Sequence, residues 1–97
     1  TWEVDLTGSA ITNLKILSGA PISTLSVGDT AVSDLAPLRD MPLKQLKLFN
    51  TKVTDLGSLK GLPIEFLHIS GTKVADLSAL RNMPLNALFL HGCTNRV

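Results

Sequence analysis

Two histidines, one cysteine and a spaced set of carboxylates are the side chains of this 97-residue sequence that could do chemistry. Histidine and cysteine are common zinc ligands, which makes His68, His91 and Cys93 the candidates for a metal site. If that region is made of short strands, His68 and His91 fall on neighbouring strands two positions out of step, with roughly 8 Å between their Cβ atoms. That is stretched for shared ligation, and no acidic side chain is near to complete a set. Paired carboxylates could serve acid–base catalysis. Here Asp34, Asp55 and Asp76 recur in one column, each followed by Leu-x-x-Leu. An Asp before a short, apolar-spaced turn is a helix N-cap, accepting the free N–H groups of the first turn. No glycine-rich phosphate loop, G-x-S-x-G or H-E-x-x-H occurs. A non-enzyme is therefore expected, with no catalytic residue, no metal and no cofactor.

The elements that hold these residues follow from a repeat. "DTAVSDLAPL", "NTKVTDLGSL" and "GTKVADLSAL" begin at Asp29, Asn50 and Gly71, and four prolines (Pro21, Pro42, Pro63, Pro84) keep the same step of 21. Counting from each proline as zero, position four holds Val4, Leu25, Leu46, Leu67 and Leu88. Position six holds Leu6, Val27, Leu48, Ile69 and Leu90. Apolar columns continue at positions eleven, fourteen, seventeen and twenty, as in Val53, Leu56, Leu59 and Leu62. Positions four to six alternate as a short half-buried strand does, so four and six face inward together. The proline before them has no N–H for a ladder and suits a corner. The segment after the Asn13, Asp34, Asp55 and Asp76 column has room for one or two turns, which predicts a 3₁₀ or brief α turn. One such unit cannot bury its own apolar columns, whereas a stack of units buries them as a continuous core.

The phrase L-x-L-x-x-T-x-V-x-D-L-x-x-L-x-x-L-P resembles the leucine-rich repeat, L-x-x-L-x-L-x-x-N-x-L. "LKQLKLFNTKV" (Leu43–Val53) and "IEFLHISGTKV" (Ile64–Val74) match every slot but one. The second half of the unit looks most like the short repeats of bacterial internalin-type proteins. The resemblance covers essentially the whole chain and implies an α/β right-handed solenoid. Parallel strands would form the concave face and short 3₁₀ or helical turns the convex face. It divides the chain as one domain, 1–97, into repeats 1–20, 21–41, 42–62, 63–83 and 84–97. The usual Asn of position nine is replaced by Ser9, Thr30, Thr51, Thr72 and Cys93. A hydroxyl ladder under the strands is expected, with Cys93 as its buried thiol end. Repeat proteins of this family usually bind other proteins, so recognition is what the resemblance implies.

Positions three, five and seven then point out of the concave face. All three phenylalanines of the chain fall in those slots, beside both histidines and a lysine. Lys47, His68 and Phe89 should form one row across the sheet, with Phe66 on one side of it and Phe49 and His91 on the other. Exposed aromatics suggest a site. The competing use of these rings is to pack on one another or beneath a further segment. The expected partner is a protein or peptide held by Lys47, Phe49, Phe66, His68, Phe89 and His91. The alternative is a structural spacer or self-associating scaffold within a larger bacterial surface or signalling protein.

Bulk properties narrow the field. A net charge of +1, with 18% charged residues, is too balanced for nucleic-acid binding, and no apolar run approaches the roughly 20 residues that span a bilayer. Charge instead drifts along the repeats, from −1 and −2 in the first two to +3, 0 and +1 in the rest. The repeat is under way by Val4, so a longer array is expected, with Trp2 partly covering the first repeat and uncapped ends open to self-association. The compartment is left open.

Overall fold

A computed structural model describes residues 2–74, 76–81 and 83–91. Five strands, β1 (Trp2–Asp5), β2 (Ile22–Ser26), β3 (Gln45–Lys47), β4 (Phe66–His68) and β5 (Ala87–Phe89), pair in parallel in chain order. Between them lie four three-residue 3₁₀ turns, η1 (Lys15–Leu17), η2 (Ala36–Leu38), η3 (Gly57–Leu59) and η4 (Ser78–Leu80). Each strand meets only its sequence neighbours, and the 3₁₀ turns stack in the same order on the opposite side. The architecture is thus the solenoid expected from the period, and its helical half is a single 3₁₀ turn per repeat.

Each corner has a local cause. At three of the prolines, the residue after the proline donates its N–H to the carbonyl before it: Ile22 to Ala20, Leu43 to Met41 and Leu85 to Met83, at 2.7–2.9 Å. These are γ-turns centred on proline, whose fixed φ suits the inverse form. The acidic column works one residue earlier than a simple N-cap. Asn13, Asp34, Asp55 and Asp76 each accept the N–H two residues on (Lys15, Ala36, Gly57, Ser78), while Leu14, Leu35, Leu56 and Leu77 occupy the cap position itself. The side-chain oxygen, amide in Asn13 and carboxylate in the three Asp residues, therefore closes an Asx turn on the first N–H of the 3₁₀ segment. That bond, with the Ser78 N–H as its main cause, holds the Asp76 carboxyl below its ordinary 3.8.

The corners of the repeats also use left-handed backbone, at columns of Gly, Asp and Asn. Gly8, Asp29, Asn50 and Gly71 share position eight and all have positive φ, as do Gly19, Asp40 and Gly61 at position nineteen. Gly, Asn and Asp are the residues that tolerate this region. At position eight the Asn50 amide donates to Asp29 Oδ1 at 2.9 Å, and its own oxygen sits where a side chain on Gly71 would begin.

The core is the set of apolar columns. Leu25, Leu46 and Leu67, with Val27, Leu48 and Ile69, are fully buried beneath β2–β4, and Val32, Val53 and Val74 close the layer below. Ahead of them, the Thr30, Thr51 and Thr72 hydroxyls donate to the carbonyls of Val27, Leu48 and Ile69 at 2.6–2.8 Å. The hydroxyl column is real, but each bond is local, three residues back, so it braces the chain leaving each strand. Ser9, the first member of the column, is exposed. Cys93 lies outside the described residues. The first and fifth repeats bury their columns less completely: Val4, Leu6, Leu88 and Leu90 are partly covered, and Trp2 leaves 57% of its surface exposed.

Candidate recognition face

The register fixes which outward side chains are neighbours. One row of paired residues runs Asp5, Ser26, Lys47, His68, Phe89, and the row beside it runs Glu3, Thr24, Gln45, Phe66, Ala87. The ladder continues past the strands, with Gly8 N–H donating to Gly28, Asp29 to Phe49, Asn50 to Ser70 and Gly71 to His91. Lys47, His68 and Phe89 thus stand side by side, as the period predicts.

Four rings join into one chain across the rows. Phe49 and His68 have centroids 4.9 Å apart, His68 and Phe89 5.2 Å, and Phe66 and Phe89 5.3 Å, all tilted or edge-on. These are ordinary separations for packed aromatic rings, and for the Phe66–Phe89 pair such packing is worth about 0.5–1.5 kcal/mol beyond area burial. Phe49, Phe66 and His68 are half-buried, and Phe89 remains 47% exposed. Part of the aromatic surface is therefore used by the rings on one another, and the outer part stays open.

Phe49 is seated by an absence. A Cβ on Gly28 would collide with the Phe49 ring, so the ring lies over the bare backbone of Gly28, which is buried under it. Gly28 counts as an empty outward slot in the sequence, and its role as a seat for Phe49 is visible only in three dimensions. Ser26 is likewise buried, with its hydroxyl bonded to that of Thr7.

Electrostatics divide the face. Burial, and then the Lys47 ammonium beside it, hold the His68 imidazole below its ordinary 6.5, so the ring between Phe49 and Phe89 is neutral at pH 7. At the β1 end, hydrogen bonds from Thr7 keep the Asp5 carboxyl below 3.8, with the Thr7 N–H 3.0 Å from Oδ1. An open depression lined by Glu3, Asp5, Thr24, Ser26 and Lys47 covers this end.

Of the six residues singled out from the sequence, five meet here: Lys47 borders the ring chain formed by Phe49, Phe66, His68 and Phe89. His91 is exposed at the edge and makes no ring contact among the described residues; its carbonyl accepts the Gly71 N–H. Among the described residues no three His, Cys, Asp or Glu side chains gather as a metal site. No described helix is long and apolar enough to cross a membrane.

Among solved structures, an internalin (InlF) from Listeria monocytogenes is similar to this chain. The TM-score is 0.87 and the sequence identity 25%, over 92% of this chain and 27% of that one. The chain thus spans about a quarter of the length of the structure it resembles. No family profile and no curated protein matches the sequence.

Proposed function

The chain is a leucine-rich-repeat solenoid of the internalin-like type, and on that premise we propose that it is a non-catalytic module that recognises another protein through its concave β-face. The observation that carries this reading is the chain of four rings on an open sheet face, with the half-exposed Phe89 between His68 and Phe66. Apolar and aromatic surface displayed in one place is the usual anchor of a protein interface, and rings already packed on one another lose little side-chain freedom when a partner covers them. Phe66 and Phe89 supply burial. His68 is held between rings as a neutral donor and acceptor, and Lys47 offers a charge at the border. Phe49 contributes mainly by wedging His68 into position, and His91 extends the surface at the edge. The likeness to an internalin supports a binding scaffold as the fold's use, and the partner's identity belongs to this face rather than to the fold.

The test is a quantitative pull-down from extracts of the source cell and its host. It compares the native chain with a Phe66→Ser, Phe89→Ser variant whose folding is first matched by circular dichroism and thermal melting. Proteins retained by the native chain and lost by the variant support the reading. Equal retention by both chains, or none by either, rejects it in favour of a spacer or scaffold.

A further inference from the structure

Both rows that cross the sheet change chemistry along their length. Each starts at a carboxylate on β1 and reaches rings on the far strands: Glu3 to Phe66 on β4, with Ala87 beyond it, in one, and Asp5 to His68 and Phe89 on β4 and β5 in the other. Neither Glu3 nor Asp5 is in an ion pair among the described residues, where Lys44 and Glu65 form the one such pair, at 3.7 Å. The Asp5 side chain is already bonded to Thr7, which keeps it ionised and fixed in place. Lys47 stands between the acids and the rings. The second row therefore reads negative, positive, aromatic.

Spacing turns this pattern into a ligand description. Strands about 4.8 Å apart place His68 about 14 Å from Asp5, with Lys47 about 10 Å from it. An extended peptide rises about 3.3 Å per residue and turns alternate side chains to the same side. Its residue four positions along thus reaches about 13 Å on the same face, while the residue two along falls within the sweep of the long Lys47 stem. We infer that the partner presents an extended segment lying across the strands, with a basic residue over Glu3 and Asp5, an acidic residue two positions along at Lys47, and an apolar residue two further on against Phe66, His68 and Phe89. This rests on the recognition reading above and specifies its ligand. Opposite charges at two points along the segment set its register and direction, and the apolar residue supplies burial.

The experiment is selection of a random heptapeptide phage library on the immobilised native chain. Three folded variants run in parallel: Glu3→Lys with Asp5→Lys, Lys47→Glu, and Phe66→Ser with Phe89→Ser. The expected result is enrichment of Arg/Lys-x-Asp/Glu-x-apolar sequences. A synthetic peptide of that form should bind the acid-reversed variant about tenfold or more weakly, and recover when its own basic residue is changed to Glu. Enriched peptides that need the two phenylalanines but ignore both charge reversals overturn this inference and leave the recognition reading standing. Enrichment indifferent to all three variants overturns both. An unenriched library overturns the extended-segment ligand, while whole-protein retention still decides the broader reading.

Discussion

Phe49, Gly28 and His68 act as one packing unit, because the ring can reach over the sheet only where a side chain is missing. Gly28→Ala should therefore push Phe49 off its seat at a cost of about 1–3 kcal/mol, the usual penalty for overfilling a packed site. A guanidinium midpoint would register the loss, and the His68 ring proton shifts would move as its neighbour leaves. His68 also carries a pH dependence. Because its folded pKa lies below 6.5, the unfolded chain takes up its proton first as the pH falls. That contribution to stability is complete above 6.5 and drains away below it until the lower folded value is reached. Midpoints measured from about pH 7.5 to 5 should fall in the native chain and flatten over that range in His68→Gln; an unchanged slope would contradict the assignment. Asp5 and Asp76 act in a separate window, since their lowered values give stability present above 3.8 and lost in more acid solution. These residue-level details were only half legible in the sequence. A period of two tells which way Phe49 points, but the neighbour it leans on depends on which adjacent slot is empty, and that is a property of two repeats at once.

At the scale of the element, the turns are specified by short polar contacts that recur every repeat. Asp55 accepts the Gly57 N–H at 2.7 Å on an exposed corner. Asp55→Ala should cost about 0.5–2 kcal/mol, whereas Asp55→Asn should keep most of the stability because the amide oxygen can close the same turn. Comparing the two by chemical denaturation separates the hydrogen bond from the charge. Strand positions, 3₁₀ turns and proline corners were all legible, since apolar columns at fixed offsets leave a stacked unit few alternatives. The cap lies one residue beyond the Asp that the sequence marks, because Leu-x-x-Leu shows where the turn's apolar residues are but not that the 3₁₀ geometry starts at the second residue after the Asp. The left-handed column of Gly8, Asp29, Asn50 and Gly71 was in plain view as a column of Gly, Asp and Asn, yet it carries no hydrophobic signal to draw the eye.

Across the whole molecule, burial is deepest in the middle repeats and thinner in the first and fifth. Leu46 is fully buried under β3, so Leu46→Ala should cost about 2–5 kcal/mol, while Leu88→Ala, at a partly covered site under β5, should cost distinctly less. In a solenoid each repeat is held by its neighbours, so the central lesion should also lower amide protection in β2 and β4, and hydrogen exchange would show whether the loss spreads that way. The charge division of the concave face belongs to this scale too: acids from the first strand and rings from the last two share one face only because the strands are laid side by side in order. The central claim is that this face, at its aromatic end, is where a partner sits. The most direct measurement is photocrosslinking with p-benzoylphenylalanine placed at Phe89 in one chain and at the exposed, convex Ile16 in another. A protein captured from position 89 and absent from position 16 is the predicted result. Capture from position 16 alone, or equally from both, would contradict it.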